Sequence, residues 1–287
     1  MDYELRVREE IRRLERLGWT DWHRIPVDGQ GELKSASGVD EDTISYPSEA
    51  YESSTENKQA ESFWAQHRAK EISNVLSENR ADVLWEVGAG NGSVAIPLRT
   101  MGFTVIGIEP LRHGAEALAK MGFTSYWGLL ETLDLPSNSI KVIGVFDVLE
   151  HLADPEHLLR EIRRILEPNG ILITTVPANQ WLFSDFDEAI GHFRRYSREG
   201  LRTLLDTTGF TNHDIRFMFG FLVPAAFLWR TLPYKLGRRR KFNAIKSTNE
   251  RHLEFSKTIN PAIAFVLRVE SRMRLLTGLS LISSSRK

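Results

Sequence analysis

Glu86, Gly88, Ala89, Gly90, Gly92 and Glu109 are the residues whose types and spacing point to chemistry first. The apolar run Val83-Leu84-Trp85 leads into Glu86-Val87-Gly88-Ala89-Gly90-Asn91-Gly92, and a second run, Val105-Ile106-Gly107-Ile108, ends in Glu109. Glycine adopts positive φ and lets backbone approach a ligand with no Cβ in the way. A carboxylate closing the next strand can accept two hydrogen bonds from ribose hydroxyls, the logic of the nucleotide-binding βαβ unit. Gly88 and Glu109 are twenty-one positions apart, close to the ~20 of that unit. An adenosine-containing ligand is therefore expected. A dinucleotide would call for Gly-x-Gly-x-x-Gly, because its pyrophosphate sits on a helix N-terminus. Here the spacing is Gly-x-Gly-x-Gly with Glu86 just ahead of it. An anion there repels a pyrophosphate and suits a cationic group.

Three later segments extend the pattern: Gly128-Leu129-Leu130-Glu131-Thr132-Leu133-Asp134-Leu135-Pro136, Phe146-Asp147-Val148-Leu149-Glu150-His151-Leu152 and Leu166-Glu167-Pro168-Asn169-Gly170-Ile171-Leu172. With these the chain resembles the class I S-adenosylmethionine-dependent methyltransferases over roughly residues 60–217, with a last strand at 279–285. The resemblance implies a Rossmann-like, doubly wound α/β fold with a mostly parallel seven-stranded sheet and an antiparallel last strand. It implies S-adenosyl-L-methionine as cofactor, a ligand with an ammonium and a sulfonium and no phosphate. Glu86, Gly88, Ala89, Gly90, Gly92, Glu109, Pro110, Leu130, Glu131 and Asp147 are then the cofactor residues. Glu109 takes the ribose, Glu86 the amino end, and Leu130 and Glu131 border the adenine. Lys141 departs from the acid many relatives carry before the fourth strand, a surface change without catalytic weight.

Methyl transfer is an in-line displacement that depends on holding acceptor and methyl carbon close and collinear. A hydroxyl acceptor must also lose a proton, which a base of near-neutral pKa assists. His192 is the first candidate and His151 the second. Asp187, His192, Arg195 and Tyr196 crowd into ten residues after the fifth strand, where Arg195 and Tyr196 can orient an acceptor bearing oxygen or phosphate. The Gly-His-x-Arg-Arg-Tyr segment resembles a loop in prokaryotic methyltransferases of glycan and lipid-linked sugar pathways. The implied acceptor is a small molecule, lipid or glycan, with oxygen as the acceptor atom. Glu150 and His151 are two adjacent groups, too few for an octahedral ion, and no metal is expected. Asp147-Val148-Leu149-Glu150 lacks the Pro-Pro-aromatic sequence of exocyclic amino-group methyltransferases, which argues against base and glutamine-amide methylation. The competing readings are a cofactor-binding regulatory module without catalysis and a nucleotide-dependent oxidoreductase, the latter disfavoured by the glycine spacing.

Periodicity supplies the elements that must position these residues. Strands are expected near 83–87, 104–108, 123–127, 141–147, 170–176 and 210–217, and helices near 3–17, 58–78, 92–101, 112–121, 154–167 and 197–208. Gly102, Gly122, Gly170 and Gly209 each follow a helix. Such alternation gives a sheet covered on both faces, with ligands beyond the C-terminal strand ends. Residues 1–57 read as a helix followed by an acidic linker or lid, with Tyr46 and Tyr51 as its contacts. Residues 58–287 read as the methyltransferase domain, with a helical insertion at about 218–277.

The 287 residues carry 41% hydrophobic residues and a mean hydropathy of −0.28, enough for one large core. Cysteine is absent, which removes disulfides, thiolate zinc sites and covalent cysteine catalysis together. The charged start, Met1-Asp2-Tyr3-Glu4-Leu5-Arg6, has no apolar leader core, so a cytoplasmic location is expected. The net charge of −1 conceals two blocks. Residues 28–57 hold eight acids against Lys34, and residues 230–251 hold eight Lys or Arg against Glu250. Phe217 to Trp229 is an uncharged run of thirteen, short of the ~20 that span a bilayer. Beside Lys235–Lys241 it suits peripheral contact with an anionic membrane. Nucleic acid is an unlikely partner, because no aromatic residues are interleaved as stacking platforms. The sequence says nothing of oligomeric state.

Overall fold

The computed structural model describes residues 2–20, 60–239 and 275–287, together with 266, 267, 269, 270 and 273. The segment expected as an acidic linker or lid with Tyr46 and Tyr51, the basic residues Arg240 and Lys241, and the part of the expected helical insertion over 240–265 lie outside the described residues.

Seven strands form one sheet in the order β3-β2-β1-β4-β5-β7-β6. They are β1 Val83–Val87, β2 Thr104–Glu109, β3 Thr124–Trp127, β4 Ile140–Phe146, β5 Leu166–Pro177, β6 Thr211–Met218 and β7 Ser280–Arg286. β1 to β5 pair in parallel, and β7 runs antiparallel between β5 and β6. Their central residues are almost all buried, as expected for apolar runs covered on both faces. Register then fixes the site. Val87 pairs with Ile108 on one side and with Val145 on the other. Gly88, Glu109 and Asp147 therefore emerge along one edge of the sheet.

The helices are α1 Tyr3–Arg16, α2 Phe63–Glu78, α3 Ala95–Thr100, α4 Arg112–Lys120, α5 Pro155–Ile165, α6 Asp185–Ala189 and α7 Arg198–Thr207. Val7, Ile11 and Leu14 of α1 are buried in the same core as Trp19, Trp85 and Tyr126. Trp85 stacks on Tyr126 with Trp19 edge-on to both, and Trp19 Nε1 donates to the Leu133 carbonyl at 2.7 Å. The first helix thus packs as part of the sheet's own core.

Four boundaries differ from the periodicity. The helix expected over 92–101 is only Ala95–Thr100, because Gly92 sits at φ +79°, where no helix can run. The helix expected over 154–167 stops at Ile165, and β5 begins at Leu166, which pairs with Ile140. β2 reaches one residue further, so Glu109 ends the strand itself. The uncharged run is not one helix: β6 extends to Met218, Phe219 turns through φ +60°, Gly220–Leu222 form a 3-10 turn, and α-helix starts only at Val223. Pro224 lies in that first turn, where its missing N–H costs nothing. Residues 223–235 are then helical through a π turn at Phe227–Thr231. No helix among the described residues is long and apolar enough to cross a membrane.

Candidate active site

The glycine loop leaves β1 with Gly88 at φ +71°, and its N–H donates to the Ile108 carbonyl at 2.8 Å. Ala89 donates to the same carbonyl. A Cβ on Gly88 would stand 2.5 Å from Val148 Cγ2, so the loop is packed against the chain leaving β4. Glu109 is buried at the end of β2. Its Oε2 accepts from Gly90 N at 2.8 Å and its Oε1 from Leu111 N at 3.0 Å. This carboxylate is already what ties the loop to the second strand. Pro110 follows, its carbonyl accepting from Trp127 Nε1 at 3.1 Å. Leu130 is buried and Glu131 half-buried in the 3-10 turn after β3.

Asp147 and Glu86 meet around one guanidinium, that of Arg68, which the motif spacing does not single out. Arg68, buried on α2, donates to Asp147 Oδ2 and, through Nη2, to Ser93 Oγ at 3.3 Å. Asp147 sits at φ +55°, and its Oδ1 accepts from Thr175 Oγ1 at 3.0 Å. Glu86 is buried with Oε2 unpartnered among the described residues. Burial pushes its carboxyl up to about 8, with Arg68 opposing and Glu109 adding to the shift. Arg68 and Glu71 are the two charges on the otherwise apolar buried face of Ala65, Ala69, Ile72, Val75 and Leu76. An unpaired cation there would be costly, which is the signal for buried acids nearby.

The second half of the site comes from the chain after β5. Asp187 is fully buried and accepts from Ser184 N (3.0 Å), Ser184 Oγ (3.2 Å), His192 Nδ1 (3.0 Å), Arg195 Nε (2.7 Å) and Arg195 Nη2 (3.1 Å). Burial alone would raise its pKa, but the hydrogen bonds and charges of His192 and Arg195 hold it below the ordinary value. Tyr196 is buried, its OH donates to the Leu149 carbonyl at 3.0 Å, and burial raises its pKa. Arg195 and Tyr196 are thus engaged in bracing the loop. His192 Nε2 points back toward β4 and lies 3.8 Å from Glu150 Oε1. Glu150 is itself wholly buried, its pKa pushed well above the ordinary value by burial and by Asp147. The His151 ring meets the His192 ring edge-on at 4.7 Å. Burial, aided by His192, lowers its pKa to about 4, so it is neutral at physiological pH.

All five residues expected on the acceptor side are therefore brought together, and with them Glu150. An open cleft of about 550 Å³ borders the group, lined by Ala153, Gln180, Arg194, Arg195 and Tyr196 among others. Residues 223–235 pack on the same loop. Thr231 Oγ1 donates to the Leu182 carbonyl at 3.1 Å, and the Arg230 guanidinium lies 4.5 Å over the Phe186 ring. The outer side of this segment exposes Leu228 and Trp229, and Leu236, Arg238 and Arg239 follow, also exposed.

Comparison with known proteins shows the family. A family model described as a methyltransferase domain matches residues 57–215. A probable S-adenosylmethionine-dependent methyltransferase of Mycolicibacterium smegmatis is 29% identical over 144 residues, 48% of this chain and 55% of the relative. A ubiquinone biosynthesis O-methyltransferase of Azorhizobium caulinodans is 29% identical over 98 residues, 31% of this chain and 38% of the relative. The chain thus spans about half, or less, of the length of these curated relatives. A Thermotoga maritima S-adenosylmethionine-dependent methyltransferase, described as a possible histamine N-methyltransferase, has a TM-score of 0.49 and 19% identity over 77% of this chain and 91% of its own. With the domain model matching more than half of its residues, the chain belongs to the S-adenosylmethionine-dependent methyltransferase family.

Proposed function

We infer that the protein transfers the methyl group of S-adenosylmethionine to a hydroxyl oxygen of a small-molecule, lipid-linked or glycan acceptor. The observation that carries this reading is the group of buried Glu150 and half-buried His151 and His192 beyond Asp147, at the ends of β4 and β5. The name of the O-methyltransferase relative supports oxygen as the acceptor atom.

The cofactor residues fit such a ligand on their own chemistry. Glu86 keeps a buried, unpartnered oxygen for the ammonium group. Gly88 has room for no side chain, since a Cβ would collide with Val148 and displace the loop. Glu109 can exchange the Gly90 N–H for ribose hydroxyls. The bound cofactor supplies an electrophilic methyl carbon whose C–S bond breaks with its electron pair left on sulfur. The acceptor oxygen contributes the pair for the new C–O bond, and its proton must go to a base. His192, with Asp187 fixing its ring, is the first candidate for that base, and His151, whose pKa burial lowers to about 4, is the weaker second.

His192→Ala is expected to lower turnover ~100-fold or more, with cofactor affinity little changed. The assay is labelled-methyl transfer to fractionated lipid and polar extracts. Turnover that survives His192→Ala and His151→Ala alike would leave positioning as the whole mechanism. S-adenosylhomocysteine binding without any transfer would favour the regulatory module instead.

A lipid-linked acceptor would be delivered by peripheral contact with an anionic membrane. Its support is the exposed Leu228, Trp229 and Leu236 beside Arg238 and Arg239, on a segment packed against the acceptor loop. Basic residues near such a surface contribute ~1 kcal/mol each before screening. Co-sedimentation with phosphatidylserine vesicles at low salt is expected to fall with added salt and with Arg238→Ser and Arg239→Ser together. Protein left in the supernatant under those conditions would remove the membrane from the reading.

A further inference from the structure

Both carboxylate oxygens of Glu150 are buried without a hydrogen-bond partner among the described residues. Stranding a buried polar group costs about 1–3 kcal/mol, and more when it is charged. A fold that keeps one beside a catalytic edge holds it for something. His192 Nε2, at 3.8 Å, is too far from it to be that partner.

The other nitrogen of His192 tells what the ring is set up for. Nδ1 donates to Asp187 Oδ1 at 3.0 Å, and Asp187 is fixed in turn by Arg195 and Ser184. Metal-binding imidazoles are oriented in this way: one ring nitrogen donates to a carboxylate, which sets the tautomer and frees the opposite lone pair. His151 adds a second imidazole. One ligand atom from each of Glu150, His151 and His192 lies within 4.8 Å of the other two, the one such group of three among the described residues. Bonds of ~2.1 Å draw ligand atoms to about 3.5 Å apart, a side-chain adjustment from what is seen. Adjacent Glu150 and His151 supply two ligands, and the third comes from forty-one residues downstream of His151.

We propose that Glu150, His151 and His192 bind one first-row divalent transition-metal ion, of zinc type, at the ends of β4 and β5. Two imidazoles and one carboxylate suit such an ion, whereas magnesium and calcium prefer all-oxygen shells. Three protein ligands leave a position open. The use of that position rests on the methyl-transfer reading: a hydroxyl oxygen held there becomes more acidic, its proton passes to water, and the two histidines are ligands in place of bases.

The test reads the ion directly. The full chain, stripped with a chelator, is titrated with Co²⁺ while its visible absorption is followed, and Zn²⁺ is then added as competitor. One ion per chain is expected, displaced by zinc. Glu150→Gln and His192→Ala should each weaken Co²⁺ binding 100-fold or more, and Asp187→Asn about 10–100-fold through the lost orientation of the ring. The exposed His113→Ala and His157→Ala should change nothing. Glu150→Gln keeps shape and removes a buried charge, so it remains informative if His192→Ala does not fold, and S-adenosylhomocysteine binding verifies each variant. Absence of a stoichiometric Co²⁺ spectrum, or equal affinity in Glu150→Gln, overturns the site. Methyl transfer unaffected by chelation alongside either result would leave O-methylation standing with histidine as its base. A stoichiometric site in a chain that methylates no hydroxyl would do the reverse.

Discussion

Asp187→Ala is expected to destabilise the protein by about 3–5 kcal/mol, the range for removing one partner of a buried ion pair. Five donors converge on this carboxylate: two from Ser184, two from Arg195 and one from His192. None of them has solvent to turn to. Asp187 is fully buried, and the Arg195 side chain is 10% exposed. Urea unfolding with circular dichroism measures the loss, and Asp187→Asn should fall between because it keeps shape and accepts from some donors. The pH dependence has a definite sign. The Asp187 carboxyl titrates below its ordinary value in the folded state, so its contribution is present above the usual carboxylate range and lost as pH falls through the lowered pKa. The Ala variant should lack that part of the acid limb. A loss under about 1 kcal/mol would mean that the loop is held elsewhere.

The second large effect belongs to the cofactor edge. Glu109→Ala should weaken S-adenosylhomocysteine binding by roughly 1–3 kcal/mol, from the lost charge-assisted hydrogen bonds. Gly88→Val should abolish measurable binding. A branched side chain at φ +71° is strained, and its Cβ would collide with Val148, forcing the loop off the strand end. Calorimetry reads both. Wild-type affinity in the two variants together would refute the placement of the cofactor on this loop.

β1, β2, β4 and the second half of β5 were legible because each is a short, mostly apolar run next to glycine or an acid, and parallel pairing in register does the rest. Glu86, Glu109 and Asp147 could be placed for the same reason: each sits at or just beyond the end of such a run. What the sequence hid was partnership at long range. Arg68 precedes Asp147 by seventy-nine residues and reaches it only because the first half of α2 comes beside the end of β4. Glu150 and His192 meet only because the loop after β5 folds back, Phe193 N donating to the Glu150 carbonyl at 2.8 Å. Arg195 and Tyr196 read as groups facing an acceptor, and local sequence could not reveal that Asp187 and the Leu149 carbonyl engage them. Helix ends slipped where one residue's backbone outweighed periodicity, as at Gly92.

The place of β7 has a consequence for how the molecule is made. β5 and β6 do not touch as strands; β7 joins them, pairing Leu281 with Val176 on one side and with Phe217 on the other. The strand that closes the sheet is the last of the seven to leave the ribosome. Until it arrives, β6 has no neighbour in the sheet, and β5 presents an open edge from Ile171 to Pro177 with its backbone donors and acceptors unmatched. Such an edge invites pairing with other chains, and contacts between residues so far apart in sequence form slowly. During synthesis the nascent chain can assemble β1 to β5 with their helices, but β6 has to wait.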